Sequence, residues 1–106
     1  MKLEVGMYVR TKKGNIYKFE TNNSMAKNGA KKYMVNCSYN IIDLIEEGDY
    51  VNGYKVVDII RNNRKLEPST MAYCEYGSRY IGFYNESIKS VITHEQMEQM
   101  EYKVEE

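Results

Sequence analysis

Residues 50–61 read YVNGYKVVDIIR and carry the clearest fold signal in the chain. Two runs rich in β-branched and aromatic residues flank Asn52-Gly53, and this dipeptide is typical of a two-residue β-hairpin turn. Other strand, turn and strand patterns occur at 7–11 with 16–20, and at 71–76 with 79–84. The chain is therefore predicted to be mainly β, with antiparallel hairpins forming a small, strongly bent sheet or barrel.

The remaining segments predict shorter elements between and after these hairpins. Polar residues 21–30 (TNNSMAKNGA) indicate an exposed loop because Asn-Asn and Asn-Gly favour turns. Further strands are predicted at 32–37 and 87–92 from their alternating pattern. Residues 40–47 favour one helical turn, with Asn40 as N-cap and isoleucines on one face, although a short buried strand fits the same apolar run.

The end of the chain carries a helix-start signal. Residues 93–96 (THEQ) fit a capping box, in which Thr93 is the N-cap and Gln96 reaches back to it. A short C-terminal helix is therefore predicted over 95–102. A last short strand is predicted over 102–104.

A short internal repeat joins the two halves of the chain. EVGMYV at 4–9 and EEGDYV at 46–51 agree at four of six positions, 42 residues apart. Each copy precedes a Gly-containing turn and a strand with a tyrosine, which indicates a shared device in which Gly bends the chain and Tyr-Val begins a strand. Chance similarity in a Tyr-rich chain is the alternative.

Length and composition set the broad class of protein. One hundred and six residues suit a single domain over 1–106, with 15 basic and 15 acidic residues and a pI near 6.6. No apolar run is long enough to cross a bilayer and residues 1–5 lack a signal core, so the protein is predicted to be cytoplasmic. Cys37 and Cys74 belong to no C-x-x-C pair and are expected to be reduced and buried.

Catalytic and metal-binding patterns are missing from the sequence. It contains no Walker loop, G-x-G-x-x-G, G-x-S-x-G or H-E-x-x-H, so the prediction is a non-enzyme with no catalytic residue, cofactor or metal. His94 is the single histidine, and it is expected to be a surface residue because adjacent Glu95 points to another face of a helix. The acids at 43–49 lack EF-hand spacing, and capping and solubility explain them better.

A cluster of tyrosines predicts a protein-binding surface. Tyr and Arg are enriched at interface hot spots, and Tyr with Ser and Gly is typical of binding loops. Strand alternation places about half of such residues inward. The predicted partner-binding residues are Tyr73, Tyr76, Arg79, Tyr80 and Tyr84. The same region predicts a homodimer through a sheet edge, or a ligand pocket closed by two subunits.

An uneven charge distribution supplies the alternative, a nucleic-acid-binding module. The first 40 residues hold eight basic and two acidic residues, or +6, so the remainder sums to −6. The predicted nucleic-acid-binding residues are Lys12, Lys13, Lys27, Lys31 and Lys32, interleaved with Tyr17, Phe19 and Tyr33. Lysines with stacking aromatics are typical of single-strand binders, whereas dedicated nucleic-acid domains are usually more basic overall. Folding can also interleave the two signs of charge.

Three segments resemble small accessory proteins of Firmicutes phages and prophages. They are EVGMYVRTKKG at 4–14, NIIDLIEEGDYVNG at 40–53 and IKSVITHEQME at 88–98. The resemblance implies a non-enzymatic protein that binds and inhibits a host factor in the host cytoplasm, such as a nuclease or another defence protein, in the manner of an anti-CRISPR. It supplies no catalytic residues. The pieces GMYV and GDYV are also similar to SH3-like and KOW-like barrels, which implies as an alternative a nucleic-acid-binding SH3-like module. The ligand pocket closed by two subunits gives a further alternative, a sponge for a small nucleotide.

Overall fold

The N-terminal part of the protein is a three-stranded antiparallel sheet with one helix. The computed structural model describes residues 2–62 and 69–100, so the strand predicted at 102–104 lies outside the described residues. The sheet has the order β2-β1-β3. Its elements are β1 (Tyr8–Thr11), β2 (Ile16–Lys18), helix α1 (Ser24–Tyr33) and β3 (Met34–Ser38).

The second part is a five-stranded antiparallel sheet that curls strongly into a half-barrel, with a short C-terminal helix after it. This confirms the predicted mainly β fold class with its strongly bent sheet. The strand order is β7-β6-β5-β4-β8. The elements are β4 (Tyr50–Val51), β5 (Tyr54–Asn62), β6 (Ser69–Tyr76), β7 (Arg79–Tyr84), β8 (Val91–Ile92) and α2 (His94–Met100), with 3₁₀ turns at Ile41–Leu44 and Asn85–Ser87.

Each sheet has its own cluster of buried apolar side chains. The cluster under the first sheet contains Leu3, Val9, Phe19 and Cys37. The cluster inside the curled sheet contains Ile42, Ile45, Val51, Val56, Ala72 and Cys74. The 3₁₀ turn before β4 supplies Ile42 to this cluster, and Ile45 follows directly after the turn, so the predicted helical turn is confirmed and the alternative of a buried strand is wrong. Asn40 stands at its N-cap position, but its side chain makes no capping hydrogen bond.

The internal repeat is a repeat of backbone structure. Gly6 and Gly48 have φ of 95° and 92°, a region that L side chains rarely adopt. In each copy the glycine N–H donates to the carbonyl of a buried residue in the return strand (Val56 on β5) or directly after it (Phe19 after β2). The N–H of that residue donates back to the carbonyl of the residue after the glycine. The four bonds are Gly6 N to Phe19 O at 2.8 Å, Phe19 N to Met7 O at 2.8 Å, Gly48 N to Val56 O at 2.9 Å and Val56 N to Asp49 O at 2.7 Å. This shared geometry supports the shared-device interpretation over chance similarity.

The loop predicted at 21–30 is wrong, because residues 24–33 form helix α1. The Asn23 side chain caps the helix by accepting from the backbone N–H groups of Met25 and Ala26. Ala26 and Ala30 then face β2 at helical spacing, and Ala30 packs on the first core cluster. An N-cap and a stripe of small residues outweigh the turn preference of Asn-Gly here. The next strand consequently starts at Met34, later than predicted.

The end of the chain follows the predicted capping box. Thr93 N donates to Gln96 Oε1 at 3.0 Å, and Gln96 N donates to Thr93 Oγ1 at 3.2 Å. Thr93 Oγ1 also donates to Gly14 O at 2.6 Å, which attaches the start of α2 to the β1–β2 turn. The strand predicted at 87–92 is shorter than expected, because its first residue belongs to a 3₁₀ turn and only Val91–Ile92 pair with β4.

Candidate functional site

The β6–β7 hairpin divides the predicted partner-binding residues between the two faces of the sheet. Buried Ala72 and Cys74 on β6 mark the face that packs on the core. Because side chains alternate along a strand, Tyr73 lies on the opposite face. Residues paired across β6 and β7 share a face, and the register therefore places Tyr80 and Tyr84 with Tyr73. Tyr76 and its partner Arg79 lie on the core side of the sheet.

The uncovered side of the hairpin and its neighbouring strand forms a continuous surface, here called the outer sheet face. Its members are Asp58 and Ile60 on β5, Met71, Tyr73 and Glu75 on β6, and Tyr80, Gly82 and Tyr84 on β7. None of these residues is buried. This face is therefore accessible on three adjacent strands.

Aromatic and apolar groups run across the outer sheet face. The rings of Tyr73 and Tyr80 lie 5.1 Å apart between centroids. Tyr80 and Tyr84 are 58% and 49% exposed. The Met71 side chain lies over the intervening glycine, since a Cβ placed on Gly82 would collide with the Met71 sulfur. An exposed set of this kind on a strand face is unusual for a surface that has no partner.

Two carboxylates flank the aromatic pair. Asp58 is the cross-strand neighbour of Tyr73, and Glu75 is the neighbour of Tyr80. Both are exposed, and neither forms an ion pair with another residue in the described ranges. The outer sheet face thus combines ring faces with negative charge.

Tyr76 has a different environment from the other tyrosines of the hairpin. Its ring lies 5.4 Å from the ring of Tyr54, which in turn stacks on Phe83 at 5.9 Å. Tyr76 is still 53% exposed, whereas Tyr54 and Phe83 pack against the core cluster of the curled sheet. Tyr76 and Arg79 therefore cannot touch the same flat partner surface as the outer sheet face.

The predicted nucleic-acid-binding lysines all fall on the first sheet and its helix. Lys27, Lys31 and Lys32 belong to α1, which contains no acidic residue. Lys12 and Lys13 occupy the β1–β2 turn, where Lys12 N donates to Tyr33 O at 2.9 Å. The turn therefore meets the C-terminal end of α1, and exposed Tyr33 lies between the two groups of lysines. An open groove between α1 and β2 continues this surface past Tyr17 and Lys18.

A buried arginine joins the two sheets, and no sequence pattern predicts it. Arg10 on β1 is 1% exposed and Asp49, before β4, is 0% exposed. The Arg10 guanidinium donates to both Asp49 oxygens, through Nη1 at 2.5 Å and Nη2 at 3.0 Å. Nη1 also donates to Leu44 O at 2.9 Å, and Nη2 to Glu95 Oε1 at 2.6 Å. One side chain thus links β1, the segment before β4, and α2.

Carboxylates outnumber the cation in this cluster. Arg10 Nε lies 2.8 Å from Glu46 Oε2 but without hydrogen-bond geometry, so the contact is an ion pair only. Burial disfavours the charged guanidinium and lowers the pKa of Arg10, but the hydrogen bonds and charge of Asp49 act in the opposite direction, and Glu95 and Glu46 add to them. Together the three acids raise the pKa of Arg10 above its ordinary value. The arginine is therefore a permanent cation, and its role is to hold three acids together.

His94 belongs to the same cluster, which corrects the expectation that Glu95 points away from it. His94 Nε2 lies 2.7 Å from Glu95 Oε1 and 3.5 Å from Glu46 Oε1. Both side chains sit in the first turn of α2, where Glu95 contacts Arg10 and His94 contacts the two glutamates, because Thr93 attaches the helix start to the β1–β2 turn. His94 remains partly exposed at 38%, so it lies at the surface of the cluster.

The cluster also tests the expectation of no metal site. Ligand atoms of Asp49, His94 and Glu95 lie within 4.8 Å of one another, a spacing that a metal ion can bridge. However, Asp49 Oδ1 already accepts from Arg10 and from His94 N, and Oδ2 accepts from Arg10 and from Glu46 N. A metal ion would have to displace the arginine, so these residues fit an ion-pair network better than a metal centre.

The two cysteines are buried and unpaired, as the sequence predicts. They lie in different core clusters, Cys37 under the first sheet and Cys74 inside the curled sheet. Burial raises the pKa of the Cys74 thiol from 9.0 to about 11. A thiol that stays protonated at neutral pH is a poor nucleophile, so Cys74 acts as a small apolar side chain.

Comparisons with known proteins give no further guide to this site. No family model, curated protein or solved structure matches the chain. Among the described residues, no helix is both long enough and apolar enough to cross a membrane.

Proposed function

We propose that this protein is a non-enzymatic binding protein that docks on a basic surface of a host protein through the outer sheet face and thereby inhibits it. The observation that carries the proposal is the Tyr73–Tyr80 ring pair flanked by Asp58 and Glu75 on an uncovered sheet face.

The chemistry of this face selects the kind of partner. Exposed tyrosine rings attract Arg and Lys side chains through cation–π contacts, and neighbouring carboxylates add charge-assisted hydrogen bonds. Tyrosines with few rotatable bonds also lose little entropy on binding. A partner that presents arginines or lysines on a flat surface fits both features.

The class of partner is proposed from the resemblance to phage accessory proteins. Such proteins act on host factors, and a host nuclease has a basic channel for nucleic acid. An acidic and aromatic face competes for such a channel by offering negative charge in place of phosphate. Inhibition then requires occupancy of the channel and no catalytic residue.

The test is retention of a host protein by the immobilised chain from nuclease-treated Firmicutes lysate, followed by affinity measurement with the purified partner. The variant Glu75→Lys reverses a charge beside Tyr80 without touching the core. It is expected to weaken the affinity about tenfold or more, because like charges then meet at the contact.

Glu47→Lys is the matched control, because Glu47 is an exposed acid in the turn before β4, outside the three strands that form the outer sheet face. It should leave the affinity within about twofold, as expected for a charge outside the contact. Equal affinities for the two variants, or retention that disappears on nuclease treatment, would contradict the proposal.

A second candidate function, binding of single-stranded nucleic acid, is favoured by one specific observation. The β1–β2 turn and the end of α1 bring Lys12, Lys13, Lys31 and Lys32 around exposed Tyr33. A stacking ring among lysines suits an exposed base and its phosphates. Lysines near a helix C-terminus also stabilise the helix dipole, which explains Lys31 and Lys32 without a ligand.

This candidate is tested with a fluorescent oligothymidine and the double variant Lys31→Gln/Lys32→Gln. Loss of two phosphate contacts should weaken binding. It should also make the negative slope of log affinity against log salt concentration shallower by about 1.4. Lys89→Gln, at an exposed lysine outside this unit, is the control. No measurable binding, or an equal effect of the two variants, would exclude a role for this surface.

A further inference from the structure

The free edge of the five-stranded sheet is the starting observation. Strand β7 ends the strand order, and it is the longest of the strands that lie at a sheet edge in the described ranges. Its sequence, RYIGFY, has one charge at its first residue and no proline. Natural sheets usually protect such an edge with charge, proline or very short strands.

The hairpin turn decides which backbone groups face the edge. Only Gly77 and Ser78 separate Tyr76 from Arg79, and in a two-residue hairpin the flanking pair exchanges hydrogen bonds. Bonded and non-bonded pairs then alternate, so Ile81 and Phe83 also turn their backbone groups toward β6. The N–H and C=O groups of Tyr80, Gly82 and Tyr84 therefore point away from the sheet.

We propose that β7 pairs antiparallel with β7 of a second copy of this chain, centred on Gly82, to form a homodimer with one continuous sheet. In this register Gly82 faces Gly82 of the second copy, and Tyr80 faces Tyr84. All three residues with outward backbone groups then exchange hydrogen bonds across the two-fold axis.

Side chains agree with the same register. Residues directly opposite each other share a face, and centring on Gly82 keeps each face continuous through the dimer. Tyr80 meets Tyr84 on the outer sheet face, and Ile81 meets Phe83 on the core side. Arg79 lies beside the 3₁₀ turn of the second copy, Asn85–Ser87, which contains no basic residue, so no like charges meet. A one-residue shift would place outer-face tyrosines against core-side residues, which disfavours it.

The expected dimer is a concentration-dependent one. A single pair of six-residue strands buries less surface than a typical permanent interface, so affinity in about the micromolar range is expected. Pairing leaves Tyr73 and Glu75 on β6 uncovered, and the dimer would present two copies of the outer sheet face. The inference does not depend on the proposed function, because it uses backbone groups and the edge strand.

The test is sedimentation equilibrium of the full chain over about two decades of concentration, comparing two double variants. Tyr80→Lys/Tyr84→Lys places like charges opposite each other at both symmetric pairs. It should raise the dimer dissociation constant about tenfold. Tyr80→Lys/Tyr84→Glu removes the same rings but places opposite charges together, so its dissociation constant should be clearly lower than that of the double lysine variant.

Both variants change exposed side chains, and circular dichroism verifies that they remain folded. If the unsubstituted chain is a monomer at all concentrations, the proposal is overturned. Equal dissociation constants for the two variants would overturn the register. Glu75→Lys, which tests the outer sheet face, should leave the dimer intact, so a failure of one proposal is separable from a failure of the other.

Discussion

Arg10 shows how one residue can organise both halves of this protein. It lies on β1, yet its contacts are with Leu44, Asp49, Glu46 and Glu95, up to 85 positions away in the chain. A buried charge of this kind stabilises only as long as its partners are present. Its removal would leave buried Asp49 without its counter-ion and the start of α2 without its main contact to β1.

The substitution Arg10→Met is therefore expected to lower the free energy of unfolding by about 3–5 kcal/mol, since it strands Asp49 in the interior. Urea unfolding followed by circular dichroism measures the change. Arg79→Met removes an exposed arginine and should cost less than about 0.5 kcal/mol. A loss below about 1 kcal/mol for Arg10→Met would mean that the cluster adds little to stability.

At the scale of elements, two short hairpins with the same glycine geometry form the framework of the two sheets. In both copies a glycine with positive φ lets the chain turn into a strand while its N–H bonds the return strand. Valines at the same position of each copy, Val9 and Val51, are fully buried in separate core clusters. The repeated segment thus specifies both a backbone turn and a core position.

Gly48→Ala tests the repeated glycine turn, and Gly29→Ala is its control. The two substitutions are expected to change the free energy of unfolding in opposite directions. Gly48 has a φ of 92°, so an alanine there should cost about 1–2 kcal/mol of unfolding free energy through backbone strain. Gly29 lies in α1 with open space where a Cβ would be placed, so alanine should stabilise by about 0.5–1 kcal/mol. Thermal unfolding of the two variants measures both signs, and a stabilised Gly48→Ala would contradict the repeat geometry.

The elements that sequence patterns missed have identifiable causes. The hairpins, the helical turn before β4 and the capping box at Thr93 follow from local rules, because turn residues and caps act over a few positions. Sequence patterns do not indicate helix α1, because Asn-Gly is typical of a turn, whereas the Asn23 cap and the packing of Ala30 on the first core cluster stabilise the helix. In the candidate site, tyrosine positions were predictable but not the face on which each one lies.

At the scale of the whole molecule, the fold keeps the two charge classes largely apart. The basic first 40 residues form the three-stranded sheet with α1, and the curled sheet comes from the acidic remainder. The two units meet where Arg10 from the first is surrounded by acids from the second. The molecule therefore has two surfaces of opposite charge. The acidic and aromatic outer sheet face carries the proposed protein binding, and the lysine-rich α1 and β1–β2 turn carry the alternative, nucleic-acid binding.

The sequence by itself determined the mainly β class, the hairpin turns, the repeated glycine turn and the cap of α2, since each depends on residues close together in the chain. Tertiary structure alone decided the Arg10 cluster, the separation of Tyr76 and Arg79 from the other tyrosines, and the free edge at Gly82. Each of these depends on strand register and on contacts between distant segments. Periodicity shows that a strand has two faces, but only the packed sheet decides which face is buried.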